Sequence, residues 1–423
     1  MQAPFFQLSL LFTSRPYPTT SKLFSSATAG TPRGRCVARP STTTPISPSL
    51  PDSAITAFED YQRLFSSQPT ESVDPLPLVV TEGSLPADFP LGTYYLNGPG
   101  MISDDHGSIV NPLDGHGYLR AFRFIGGGVV MYSARYVETE AAKEEREAKT
   151  GEWRFRQPGL FSLLKSHMRA PGLKLLKNVA NTTVLRWGGR LFCLWEGGHP
   201  YELEPTSLAT IGPTDIIKTV DGRQSGGGEV LKLAAGITKP LLCGYDWPSS
   251  RLDPSFMNAD KQALPHLVKI LIELDAGGSD LFCSIADSSI HWKKPADFPV
   301  INPSMSGKSN RFMYANSTSG SNKFLPHFPF DTIVKFDSYN DIVKTWCTEN
   351  RMFIGEPMFI SKGTKHEEDG YIIVIEYAIF RQKCYLVVLD AKRIGDEDAI
   401  VVKLEVPEHL SFPFGFHGFW DKK

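Results

Sequence analysis

Paired cysteines, acidic residues at the amino end and long apolar runs are all missing from this chain, and each absence removes a class of protein. The six cysteines, Cys36, Cys193, Cys243, Cys283, Cys347 and Cys384, lie far apart. No pair forms C-x-x-C or a zinc spacing, which excludes a disulfide-stapled small domain and a zinc ribbon. They read as buried free thiols of a reducing compartment. No apolar run approaches the ~20 residues that a membrane-spanning helix needs. Net charge is −2 over 423 residues, too balanced for a nucleic-acid stripe, so no nucleic-acid partner is expected and small molecules are. Neither G-x-S-x-G nor H-E-x-x-H nor the kinase signature set occurs, and hydrolase and phosphotransferase readings lack support.

Residues 1–51 contain no Asp or Glu but several Arg and Lys among many Ser, Thr and Pro. That is the composition of an organelle transit peptide without the apolar core of a secretory signal, and a plastid address fits it. A merely disordered tail is the alternative. Residues 52–423 are read as a single domain.

From Asp52 onward the chain is built of short Val-, Ile-, Tyr- and Phe-rich runs broken by Gly, Pro, Asp and Asn. "DGYIIVIEYAIFRQKCYLVVLD" (369–390) reads as two strands joined by a polar link, and "NTTVLRWGGRLFCLWEGG" as a hairpin turning at Gly188 and Gly189. Many hairpins without a βαβ rhythm predict an all-β protein. At this length a propeller is favoured over one sandwich. Two helical stretches interrupt the pattern, "ITAFEDYQRLFSS" near Ile55 and residues 160–180. The second interleaves Leu, Phe and Met with Lys165, Arg169, Lys174 and Lys177, a mixture suited either to an interfacial membrane patch or to an amphipathic helix packed on the domain.

Three strings invite a chemical reading. "SDDHGSIVNPLDGHG" sets Asp105 and His106 near Asp114 and His116, where a metal site competes with ordinary turns. "RQSGGGEV" (223–230) lacks the Lys-Ser and strand-to-helix context of a phosphate loop and reads as a loop. "FPFGFHGFW" (412–420) holds His417 between glycines inside a run of aromatics, either as a core histidine with one satisfied hydrogen bond or as a metal ligand.

Taken together, "TYYLNGPGMISDDHGSIVNPLDGHGYLRAF", "KNVANTTVLRWGGRLFCLWEGGHPYELEP", "GYDWPSSRLDPSFMN", "KKPADFPVINPSMSG", "LPHFPFDTIVKF", "RMFIGEPMFI" and "FPFGFHGFW" resemble the carotenoid cleavage dioxygenases. The likeness is greatest to the plastid type 7 branch of strigolactone biosynthesis, with zaxinone-synthase-like enzymes as an alternative. The resemblance implies a seven-bladed β-propeller carrying one non-haem Fe(2+) on its axis. Four histidines hold the iron and three acidic residues orient their rings. Such enzymes insert O2 across a polyene double bond of a carotenoid or apocarotenoid that enters by an apolar tunnel from a membrane. Imidazole suits iron, and an outer carboxylate fixes the tautomer. Carried over by motif, His417 matches the last iron ligand. Glu356 in "GEPMF" and Glu196 in "LWEGG" match the orienting carboxylates, and Asp297 stands where other members carry Glu. Implied too are peripheral membrane contact, 9',10' cleavage of a β-carotene isomer, and a place in the plastid stroma or on plastid membranes.

The chain departs from the family in its middle. Strings of the type H-Y-K-V-D, M-I-H-D-W-A and H-x-x-N-A-[FY]-E, which carry the first three iron histidines, do not occur. A junction near 243–246 joins family strings that ordinarily lie far apart. About two to three interior blades are expected to be missing, taking four strands per blade. His199, His266, His327 and His409 fall in strings without a ligand role. One imidazole cannot retain Fe(2+), since affinity comes from several preoriented ligands. This exact chain is therefore expected to be inactive: a dioxygenase sequence lacking one or more exons, an inactive isoform that binds apocarotenoid or the full-length enzyme, or a propeller-like interaction protein.

Overall fold

The computed structural model describes residues 53–155, 177–215, 269–274, 281–286, 292, 294–325, 328–364, 366–407 and 412–423. Among these residues nearly all regular structure is antiparallel sheet, as the all-β reading expects. The predicted helix near Ile55 forms over Ala54–Arg63, with the Ser53 hydroxyl accepting from the Thr56 N–H at 3.1 Å. Such a cap satisfies one of the donors a helix start leaves open. A second short helix, Glu140–Glu145, has no counterpart among the expected elements. Residues 160–176 of the basic segment lie outside the described residues, and 177–180 carry no helix.

Both predicted hairpins form. Thr183–Trp187 pairs with Arg190–Leu194 across Gly188 and Gly189, which adopt φ of 59° and 81°. Two successive positive φ values give the turn whose twist matches a hairpin, and glycine takes them without a Cβ clash. Gly370–Ala378 pairs with Lys383–Asp390; the connection, expected at Arg381–Lys383, is a 3₁₀ turn over Ile379–Arg381 followed by Gln382, and Lys383 already belongs to the second strand.

Sheets stack face to face, and the period of two shows how. Every residue of Gly370–Ala378 is buried, with alternate side chains entering different cores. Tyr371, Ile373, Ile375 and Tyr377 join the core shared with the N-terminal sheet. Ile372, Val374 and Ala378 join the core shared with the sheet Ala296–Val300, Phe312–Ser317, Thr332–Asp337 and Ile342–Cys347. The strand His116–Gly126 divides likewise. Its Tyr118, Phe122 and Phe124 face the first of these cores. Leu119 and Ala121 face a third core, built with the sheet that contains Thr183–Trp187 and Arg190–Leu194. Successive sheets packed on both faces of their neighbours are the arrangement of propeller blades.

The chain ends are tied reciprocally. The C-terminal strand Gly418–Lys422 adds to Gly92–Leu96 of the N-terminal sheet, while Val79–Gly83 from the amino end adds to Ile400–Glu405 of the last sheet. Gly98 lets the chain beside this junction approach closely, for a Cβ there would stand 2.9 Å from the Gly415 Cα. His417 sits directly before the added strand, so its position follows from this closure.

Candidate active site

Four residues singled out by sequence come from four different sheets or their edges. His417 precedes the strand added to the N-terminal sheet. Glu356 lies between Met352–Ile354 and Met358–Ser361 of the last sheet. Asp297 is in Ala296–Val300, and Glu196 follows Arg190–Leu194. One residue per blade is how a propeller builds a site on its axis.

His417 and Glu356 are in direct contact. The imidazole Nδ1 lies 3.0 Å from Glu356 Oε1, and Glu356 Oε2 accepts the Gly418 N–H at 2.7 Å. Both carboxylate oxygens thus hold the same short stretch of chain. Glu356 is buried and the His417 side chain is 29% exposed. Burial works to lower the His417 pKa, but the Glu356 charge and hydrogen bond outweigh it, aided by Asp297 and Glu196, so the imidazole is held above its ordinary value. The three carboxylates therefore act on one ring. With Nδ1 engaged, Nε2 is left without a hydrogen bond among the described residues, the disposition of a metal-ligating histidine whose other nitrogen is oriented by a carboxylate.

Asp297 is reached through strained backbone. Its carboxylate accepts the Phe298 N–H at 2.8 Å, and Phe298 takes φ of 52° within a register shift between Asp297 and Val300. A bulky residue with positive φ is an outlier that its surroundings must enforce. The Phe298 ring meets the His417 ring at 5.8 Å and 73°, and its edge-on packing was not foreseen from sequence. Burial raises the Asp297 pKa, and the nearby Glu356 charge adds to it, while the Phe298 N–H and His417 oppose. Glu196 is exposed and accepts from the Thr182 hydroxyl at 3.0 Å.

His106 and His199 are exposed, whereas His266, His327 and His409 lie outside the described residues. His116 is fully buried, with Nε2 2.7 Å from Glu145 Oε2. Lys177 Nζ reaches the same oxygen at 2.6 Å, and the Trp153 ring covers the imidazole at 5.0 Å. Asp104 and Asp105 accept the Phe155 and Trp153 N–H groups at 2.9 and 2.7 Å. "SDDHGSIVNPLDGHG" therefore does structural work, holding down the segment before residue 156. Of the four expected membrane-patch cations, Lys177 is committed to Glu145. Lys165, Arg169 and Lys174 lie outside the described residues, as do 223–230 and the junction at 243–246.

The profile of the RPE65 family, described as retinal pigment epithelial membrane protein, matches residues 65–226 and 224–422. The chain belongs to this family, that of the carotenoid oxygenases. It is 35% identical to carotenoid cleavage dioxygenase 7, chloroplastic, of Arabidopsis thaliana, over 88% of this chain and 92% of that protein. It is 25% identical to apocarotenoid-15,15'-oxygenase of Synechocystis, over 86% of this chain and 96% of that protein. Among solved structures, cobalt-substituted Synechocystis apocarotenoid oxygenase superposes with a TM-score of 0.64 at 23% identity, over 86% of this chain and 99% of that one, which shows the shared fold. The alignment with the Arabidopsis protein runs to 567 positions, well beyond this chain's 423 residues. That carotenoid oxygenase therefore has residues with no counterpart here.

This carotenoid oxygenase family is iron-dependent, and the donor set tests whether iron fits. The His417–Glu356 pair has the form of one ligand with its orienting carboxylate. Among the described residues, however, no group of three or more His, Cys, Asp or Glu is placed to hold a metal ion. Among the described residues His417 is thus the one imidazole paired in this way at the site, and a single imidazole by itself does not fit a stably bound iron.

Proposed function

We propose that the chain is a carotenoid cleavage dioxygenase of the type 7 branch, addressed to the plastid by residues 1–51, in a form lacking two to three interior blades and with them three iron histidines. The observation that carries this reading is one imidazole oriented by Glu356 and acted on by the charges of Asp297 and Glu196, with no group of three or more His, Cys, Asp or Glu placed to hold a metal among the described residues. The complete enzyme's reaction is O2 insertion at the 9',10' bond of a β-carotene isomer, drawn from a membrane surface. The 423-residue form keeps the orienting carboxylates and does not turn over.

Anaerobic loading of the purified chain with Fe(2+), desalting, metal analysis and incubation with carotenoid in air test this. Well under one iron per chain and no apocarotenoid are expected; stoichiometric iron with 9',10' products would overturn the proposal. Amplifying the native transcript across the codons for Cys243 to Asp246 decides what the locus makes. A product longer by several hundred bases restores the missing histidines. The short product alone favours an isoform that binds apocarotenoid or the complete enzyme.

A further inference from the structure

Two asparagines stand out from the other buried polar groups because each is tied to one half of the His417–Glu356 pair. Asn97 follows the strand Gly92–Leu96 and is fully buried. Its main chain brackets His417: the Asn97 N–H donates to the His417 carbonyl at 3.0 Å, and the Asn97 carbonyl accepts the Phe416 N–H at 2.8 Å. Its side-chain amide donates across to the next sheet, to the Ala180 and Thr183 carbonyls at 2.9 and 3.1 Å. Asn316 is also fully buried and stands opposite Asp297 in the register of its sheet. Its amide donates to the Gly355 carbonyl of the adjoining sheet at 2.8 Å, one peptide from Glu356. The Gly355 N–H is held in turn by the Ile375 carbonyl at 2.9 Å.

In both side chains Oδ1 is buried and accepts no hydrogen bond among the described residues. A buried acceptor left unpaired is a net cost that an apolar side chain of similar size avoids. Only the donor half of each amide can offset it: that of Asn97 ties the sheet receiving the strand after His417 to the Thr183–Trp187 sheet, and that of Asn316 ties the Asp297 sheet to the peptide before Glu356. His417 and Glu356 arrive on separate sheets, so their 3.0 Å contact depends on how those sheets are indexed against each other. Small misplacements at such a pair are enough to lose it.

We infer that Asn97 and Asn316 are positioning residues: each amide fixes one half of the pair against its own neighbouring sheet, and together they hold His417 Nδ1 on Glu356. This does not depend on whether the chain turns over, because its readout is the tautomer of one ring.

The experiment is long-range ¹H–¹⁵N correlation spectroscopy of the full chain labelled at histidine, above the pH where His417 is protonated, with signals assigned by His417→Gln. The parent is expected to show a single tautomer protonated at Nδ1. Asn97→Leu and Asn316→Leu, with Asn97→Ser and Asn316→Ser as smaller changes should either leucine variant fail to fold, are expected to lose it and show a mixture of both tautomers. Gln68→Leu is the control. Gln68 is a buried amide that donates locally to the Thr70 carbonyl and hydroxyl at 2.9 and 2.7 Å, and its loss should lower Tm while keeping the single tautomer. Folded Asn97 and Asn316 variants that retain the parent tautomer would overturn the inference, as would loss of the tautomer in Gln68→Leu.

Discussion

His417 and His116 are each paired with a glutamate, yet the two imidazoles behave in opposite ways. His417 gives Nδ1 to Glu356, keeps partial access to solvent and feels the charges of Glu356, Asp297 and Glu196, which together hold its pKa above the ordinary value. His116 gives Nε2 to Glu145 but is completely buried. Desolvation dominates there, and with Lys177 alongside it lowers the His116 pKa to about 4 despite the Glu145 contact. We take His116 as neutral and Glu145 as the ionised partner of Lys177, because His116 and Lys177 both hold the Glu145 carboxyl below its usual range against the opposing effect of burial. A carboxylate partner alone therefore does not make a histidine basic or mark it as a ligand. Burial and the sign of the next charge decide.

Acid should break the comparison most strongly at His116. A folded pKa below the unfolded one means that the unfolded chain takes up the proton first. Stability is complete above about pH 6.5 and falls as the pH drops toward 4, by roughly 3 kcal/mol for this one group. Urea melts at a series of pH values check this, and His116→Gln, which cannot protonate, should show a shallower loss across the same window. Glu145→Leu comes next. It strands a buried imidazole donor and a half-buried ammonium, and about 2–3 kcal/mol of stability should go with them at pH 7. Glu356→Gln has the smallest effect on stability, below about 1 kcal/mol since His417 is partly solvated, but it sharpens the contrast. Without that carboxylate the His417 pKa should fall, visible as a lower midpoint for its ring proton in an NMR titration. Stability from a raised histidine pKa is present below the unfolded value and lost as the pH rises through the folded one, so this variant should flatten that dependence.

The basic segment picked from sequence as a candidate membrane patch gives a further test. Reversing Lys165, Arg169 and Lys174 should weaken binding to anionic liposomes by about 1 kcal/mol or more per residue, as polybasic contacts do. Lys177→Glu should instead lower Tm with little change in liposome binding, because Lys177 faces Glu145. Equal effects on liposome binding from all four positions would remove that distinction.

Much of the architecture was legible because it is local. Gly188 and Gly189 announce a hairpin, and the alternation of 369–390 announces a strand that pairs with the next. His417, Glu356, Glu196 and Asp297 could be picked from their strings; His417 and Glu356 are in contact, and the charges of the other two act on the same ring. Asn97 could not be picked: it sits in "LNGPG", a string that signals a turn, and its amide acts on carbonyls more than eighty residues away. Phe298 was equally silent, since its positive φ arises from a register shift that no local pattern announces. The pairing of His116 with Glu145 was hidden for the same reason, the glutamate lying on a helix that the sequence did not foretell.

By itself, the sequence determined what each segment could become: strands from their period of two, turns from their glycines, and a set of imidazoles and carboxylates with fixed chemistry. Only the tertiary structure decided which of these share a site, which histidine is basic and which is mute. The physical reason is range. Backbone preferences act over a few residues, whereas the energy of a charge depends on its burial and on neighbours within a few ångströms, and those neighbours come from sheets far apart in the chain.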